Sequence, residues 1–214
     1  MKNAPKHLQR RHFIASSAAL LALPGAWAAS AQRILVVGDS LSAEYGLSKG
    51  TGWVALLEQR LTAQKKAATV INASVSGDTT SGGRARLTPL LAQHRPDIVI
   101  IELGGNDALR GLPLQGMQDN LRFMTQAAQQ AGAKVLLLGM QIPPNYGKKY
   151  AQDFERVFAT IAKEHKAALL PFFLKGVADA GNARSLFQSD QIHPNAQAQP
   201  ILLDNVWPLL QGWL

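Results

Sequence analysis

A serine near one end of this chain, and a carboxylate and an imidazole near the other, are the three parts of an activated nucleophile. Ser40 lies in Val37-Gly38-Asp39-Ser40-Leu41-Ser42, and Asp190 and His193 lie in Asp190-Gln191-Ile192-His193-Pro194-Asn195. A serine hydroxyl is a weak nucleophile until an imidazole takes its proton, and a carboxylate can fix that imidazole in the required tautomer. Asp190 and His193 stand three apart in an expected turn. That spacing lets the carboxylate reach Nδ1 and leaves Nε2 for the serine. The Gly77 N–H, the Ser40 N–H and the Asn106 side-chain amide are candidate donors to the oxyanion formed on attack. Each part also has a plainer reading. A serine after a strand is commonly a turn residue, and Asp39, Asp78 and Asp107 all suit Asx-turn or capping roles.

The elements around these residues explain how they could meet. Ile34-Leu35-Val36-Val37 has the length and content of a buried parallel strand, running from about Arg33 to Val37. Further strands are expected at Val70-Ile71-Asn72, at Asp97 to Leu103, at Val135 to Leu138 and at Ala168-Leu169-Leu170. Between them lie helical patterns. Thr51 is placed to cap a helix carrying Trp53, Leu57 and Leu61. A second helix covers about Ser81 to Gln93. Leu114, Met117, Leu121 and Met124 mark a third, stopped at Gly132, and Phe154, Val157, Phe158 and Ile161 mark a fourth. A last helix runs from about Asn195 towards Leu210, bent at Pro200. Strands alternating with helices give an α/β domain whose parallel sheet is covered on both faces. The polar and glycine-rich loops that follow the first four strands then gather on one sheet edge, where such folds bind ligands.

Composition narrows the classes. The chain has 214 residues, 47% of them apolar and 17% charged, enough for one well-buried core and unlike a disordered protein. It has no cysteine, which excludes disulfides, thiolate metal sites and a cysteine nucleophile. The five histidines show no metal-ligand spacing, so no metal is expected, and the serine chemistry outlined above needs no cofactor. No Gly-x-Gly-x-x-Gly or P-loop pattern occurs. Of the 22 basic residues, Lys2, Lys6, Arg10 and Arg11 precede residue 32. The remaining 18, against 14 acidic groups, leave a net charge of +4. They are scattered and lack interleaved aromatics, which argues against nucleic acid as a partner. Lys148 and Lys149 could draw a phosphorylated leaving group, but the expectation is solvated surface charge.

Residues 1–30 read as an export signal. A basic stretch ends at Arg11, an apolar stretch runs from Phe13 to Leu23, and Ala26-Trp27-Ala28 supplies small residues for cleavage. Arg10-Arg11-His12-Phe13-Ile14 fits a twin-arginine signal as well as an ordinary secretory one. Either implies a periplasmic or secreted bacterial protein with no integral membrane span after cleavage; an uncleaved membrane anchor is the alternative. Residues 31–214 then form a single catalytic domain, expected to be a monomer.

Gly38-Asp39-Ser40-Leu41-Ser42, Gly77, Gly104-Gly105-Asn106-Asp107 and Asp190-x-x-His193 resemble, in order, the four sequence blocks of the SGNH hydrolases, also called GDSL esterases. Ser76-Gly77-Asp78-Thr79, Glu102-Leu103-Gly104-Gly105-Asn106-Asp107 and Pro144-Asn145-Tyr146-Gly147 resemble one branch, the small periplasmic thioesterase, lysophospholipase and arylesterase group of Gram-negative bacteria. The resemblance implies a three-layer α/β/α flavodoxin-like sandwich with about five parallel strands. It implies Ser40 as nucleophile, His193 as general base and then acid, Asp190 as its orienting partner, and Ser40, Gly77 and Asn106 as the oxyanion hole. The reaction implied is hydrolysis of carboxylic esters or thioesters, such as aryl esters, acyl-CoA or lysophospholipids, through an acyl-enzyme. A carbohydrate acetyl esterase on the same fold and a non-catalytic lipid or glycan binder are the alternatives. Leu109, Leu112, Pro143, Pro144, Asn145 and Tyr146 are candidates to line the acyl groove. Glu44 stands where this branch is expected to have a small residue. It brings a carboxylate near the nucleophile loop, with an expected effect on substrate preference.

Overall fold

The computed structural model describes Met1, residues 31–142 and residues 144–214. The segment read as an export signal and Pro143 lie outside the described residues. Five strands make one parallel sheet: β1 (Gln32–Gly38), β2 (Ala68–Asn72), β3 (Ile98–Glu102), β4 (Lys134–Leu138) and β5 (Ala168–Leu170), in the order β2-β1-β3-β4-β5. The helices are α1 (Trp53–Ala63), α2 (Thr80–His94), α3 (Gly105–Leu109), α4 (Leu114–Gln130), α5 (Lys148–His165), α6 (Ala183–Leu186) and α7 (Gln199–Leu210).

The strands are apolar because both sheet faces are covered. Ile34, Leu35, Val36 and Val37 of β1 and Ile98, Val99 and Ile100 of β3 are fully buried. Helices α1 and α7 pack together, and α2, α4 and α5 pack in series to give the second helical layer. The faces they bury follow the 3.6-residue period: Met117, Leu121, Met124 and Ala128 on α4, and Phe154, Val157, Phe158 and Ile161 on α5. Thr79 caps α2, its Oγ1 accepting the Gly82 N–H at 3.5 Å.

Two local expectations are corrected. Thr51 does not cap α1; its hydroxyl donates to the Ser48 carbonyl instead. Gly52 occupies the N-cap, and the Trp53 N–H is satisfied by the Gln199 side-chain carbonyl at 3.0 Å. Pro200 does not bend the last helix. It sits in the first turn of α7, where a missing N–H costs nothing, and α7 begins at Gln199 rather than near Asn195. The short helices α3 and α6 carry too few residues to show a period in the sequence.

Strand order places the site. β1 lies between β2 and β3, so successive connections leave it in opposite directions and open a crevice beyond its carboxyl end. Register aligns Gly38 at the end of β1 with Glu102 at the end of β3. At the amino end of the sheet, the Gln32 side chain donates to the Trp213 carbonyl at 2.9 Å, which joins the start of β1 to the last turn of the chain.

Candidate active site

Ser40 follows β1 directly, in a turn built by Asp39. The Asp39 carboxylate accepts the Leu41 N–H at 3.0 Å, and the Asp39 carbonyl accepts the Ser42 and Ala43 N–H groups. This tight turn turns the chain away from the sheet immediately after the strand. Gly38 is required there by close approach, since a Cβ would fall 2.8 Å from both Glu102 Oε2 and Ser42 Cβ.

His193 arrives from the far end of the sequence. Its Nε2 stands 2.9 Å from Ser40 Oγ, and its Nδ1 stands 2.7 Å from Asp190 Oδ2. The other Asp190 oxygen accepts the backbone N–H groups of Ile192 and His193, at 2.9 and 3.0 Å. These bonds, the His193 N–H first among them, hold the Asp190 carboxyl down at about 2, so it is ionised at any working pH. An ionised carboxylate only accepts, so Nδ1 carries the imidazole proton and Nε2 offers its lone pair to the serine hydroxyl. Backbone pairing fixes the segment that carries this pair. Phe187 and Pro194 form an antiparallel bridge, Gln188 N–H donates to the His193 carbonyl at 2.8 Å, and the Asn195 amide donates to the Ser185 and Phe187 carbonyls.

Asn106 opens α3. Its Nδ2 donates to Asp39 Oδ2 at 2.9 Å, which turns the amide towards the Ser40 loop, and Asn106 and Ser40 line one cavity. Among the described residues neither the Ser40 N–H nor the Gly77 N–H donates to a protein acceptor. The Gly77 loop is drawn to the end of β1 by the Val75 N–H on the Gly38 carbonyl, and by Arg86, whose guanidinium binds Asp78, the Ala73 carbonyl and the Gly38 carbonyl. Asp107 takes the capping role expected of it, accepting the N–H and hydroxyl of Thr80 at the start of α2.

Behind the Ser40 turn lies a buried polar chain whose connections the sequence does not disclose. Glu102 Oε2 accepts the Asp39 N–H at 3.2 Å and the Ser42 hydroxyl at 2.8 Å, and Ser42 Oγ accepts the Trp53 indole N–H at 3.1 Å. Burial, reinforced by the Asp39 charge, drives the Glu102 carboxyl well above the usual range. Burial also raises Asp39, to about 6, against the opposing pull of the Leu41 N–H and its other donors. The sequence signal was present: a carboxylate closing an otherwise wholly apolar strand.

The cavity beside Ser40 holds about 560 Å³. Leu109 lines it, with Met140, Ile142, Phe172, Leu174 and Phe187 among the other walls. Asn145 and Tyr146 do not line it; they stand exposed on the short 3₁₀ helix Pro144–Tyr146. Most of the apolar wall comes from segments after β4 and β5, whose side chains read in sequence as ordinary core. Glu44 does not face the reaction centre. Its carboxylate accepts the N–H groups of Gly50 and Gly52 at 2.8–3.0 Å and staples its own loop. Lys148 and Lys149 are solvent-exposed, and Lys149 pairs with Asp153. No cluster of metal-binding side chains occurs among the described residues.

The sequence profile of the GDSL-like lipase/acylhydrolase family matches residues 36–200. The chain belongs to this family. Membership makes it a serine hydrolase of ester bonds, and the parallel five-stranded sheet is the architecture of its structurally known relatives. Esterase TesA of Pseudomonas aeruginosa is 54% identical over 186 residues, which is 87% of this chain and 91% of the relative. The Escherichia coli protein named thioesterase 1/protease 1/lysophospholipase L1 is 44% identical, over 83% of this chain and 82% of its own length. The crystal structure of the psychrotrophic esterase EstA from Pseudoalteromonas sp., inhibited by monoethylphosphonate, matches with a TM-score of 0.80. It is 41% identical and covers 85% of this chain and 98% of that one.

Proposed function

We propose that Ser40, His193 and Asp190 are the catalytic triad of an acyl ester and thioester hydrolase, with the Ser40 and Gly77 N–H groups and the Asn106 amide as its oxyanion donors. The observation that carries this reading is the unbroken hydrogen-bond line from Ser40 Oγ through the imidazole to Asp190, at 2.9 and 2.7 Å. Ser40 Oγ attacks the carbonyl carbon while Nε2 accepts the hydroxyl proton. The carbonyl π pair moves to oxygen, and the donors stabilise that charge. The pair returns, the bond to the leaving alcohol or thiol breaks, and His193 gives it the proton. Water then repeats the sequence on the acyl-enzyme and releases a carboxylic acid.

The acyl chain occupies the cavity of about 560 Å³ lined by Leu109, Ile142, Phe172 and Leu174. Its volume and apolar walls favour medium-chain acyl groups over acetyl, which supports a thioesterase, arylesterase or lysophospholipase type over a carbohydrate acetyl esterase. The names of the relatives, an esterase and a thioesterase/lysophospholipase, point the same way. The leader-like residues 1–30 support export to the periplasm, followed by a single catalytic domain over 31–214. No helix among the described residues is long and apolar enough to cross a membrane.

The test is labelling and turnover together. An alkyl phosphonate should phosphonylate Ser40 stoichiometrically, and Ser40→Ala should lose both the label and the acylation burst with p-nitrophenyl octanoate. Full turnover by Ser40→Ala would refute the nucleophile.

A further inference from the structure

Tyr45 lies against the imidazole of His193. The ring centroids are 4.4 Å apart with the planes tilted by 40°, while half of the tyrosine surface is open to solvent. Nothing about position 45 marks it in the sequence, and it does not line the acyl cavity. Its placement is nevertheless fixed from several sides. Gln188 Nε2 donates to the Tyr45 carbonyl at 2.8 Å, and the Gln188 N–H donates to the His193 carbonyl at 2.8 Å. One residue thus ties the loop carrying Tyr45 to the loop carrying His193. Gly46 lets this happen: a Cβ there would fall 2.0 Å from Gln188 Oε1, and its φ of +69° disfavours any side chain. On the other flank the Glu44 carboxylate holds Gly50 and Gly52, so the loop cannot slacken away from the imidazole.

The geometry points to Tyr45 as a positioning residue, a ring braced by Gln188 that holds the His193 imidazole in line with Ser40. The inference rests on the reading of His193 as the general base. An imidazole bound only at Nδ1 can still swing about its χ angles. A flat wall on one face removes that freedom and keeps Nε2 at the serine through both halves of the reaction. Because His193 serves acylation and deacylation alike, loss of the wall must slow both. A ring that touched only the leaving group would matter in acylation alone.

The decisive comparison is Tyr45→Ala and Tyr45→Phe in the mature enzyme, with acylation and deacylation of p-nitrophenyl butyrate and ethyl butyrate resolved by stopped flow. Tyr45→Ala should slow both steps roughly three- to tenfold, the range a packed aromatic pair is worth, with KM within about twofold. Tyr45→Phe, which keeps the ring, should restore both rates. Gln188→Leu removes the tie while leaving the ring, and should slow both steps in the same direction without lowering KM. Unchanged rates in Tyr45→Ala, or a loss confined to acylation of the aryl ester, would overturn the proposal. So would Tyr45→Phe behaving like Tyr45→Ala. Thermal melting of each variant identifies any that fails to fold, and the Tyr45 substitutions are at a half-exposed site where folding should persist. Ser40→Ala assayed in parallel separates the two claims: retained turnover there sinks the triad itself, whereas a dead Ser40→Ala beside a fully active Tyr45→Ala sinks only the brace.

Discussion

At the scale of single residues, the three carboxylates of the site's polar network are tuned in opposite directions. Asp190 gains three donors and is held low; Asp39 and Glu102 are buried side by side and are driven up. Burial and the neighbouring Asp39 charge both favour the protonated form of Glu102, and Asp39 gives its proton up near 6 while still accepting from Leu41 and Asn106. The sign of the linkage follows. A carboxyl raised from 3.8 to about 6 binds its proton more tightly in the folded state, so its contribution is full below 3.8 and is lost as pH rises through about 6. Urea unfolding of the parent against Asp39→Asn should show the parent's relative stability falling between pH 4 and pH 7; a flat difference over that window would discard the assignment. Glu102→Gln should fold normally, whereas Glu102→Leu strands the Asp39 N–H and the Ser42 hydroxyl and should cost about 1–3 kcal/mol for each orphaned group. The residues proposed as the triad were legible in the sequence because chemistry restricts such roles to few residue types. Glu102, Ser42 and Trp53 were not, because their roles depend on which strand ends are neighbours.

At the scale of elements, the structure repairs what the local sequence leaves undone. α1 has no side-chain cap of its own, and its first N–H is taken by Gln199, 146 positions away. The same amide donates to the Pro194 and Asn195 carbonyls, so a fully buried glutamine links the start of α1 to the segment just after His193. Gln199→Leu keeps the approximate volume and removes all three bonds. It should lower stability by about 1–3 kcal/mol and reduce kcat as the histidine segment loosens, both measurable by melting and by steady-state kinetics on one preparation. Stability unchanged within error would show that the linkage carries no weight. Strands and long helices were readable from periodicity and lay within a few residues of their observed bounds. Caps were not, since Thr51 looks like a cap by type and the true partner comes from another part of the chain.

At the scale of the whole molecule, strand order does the joining. With β1 between β2 and β3, the serine turn, the Gly77 loop and α3 all open at one crevice, and α7 packed on α1 brings the histidine segment to it. The alternation of elements revealed a covered parallel sheet. It could not reveal the cavity, whose wall is assembled from Met140, Ile142, Phe172, Leu174 and Phe187 across two connections. Ala178 stands in that wall at an exposed position. Ala178→Trp should therefore leave the melting temperature nearly unchanged. It should lower the octanoyl-to-acetyl ratio of kcat/KM by about tenfold or more, in line with about 1–3 kcal/mol for each methylene excluded from an apolar site. An unaltered ratio would place the acyl chain elsewhere.

The bond from Gln32 to Trp213 has a consequence for how this enzyme can be tethered. It puts both flanks of the folded unit at the same pole, with the seven residues of β1, about 20 Å of extended chain, between that pole and Ser40. A leash, tag or bilayer stem joined ahead of Gln32 therefore emerges on the far side from the reaction mouth, and an immobilised enzyme keeps that mouth turned outward, open to whatever diffuses past.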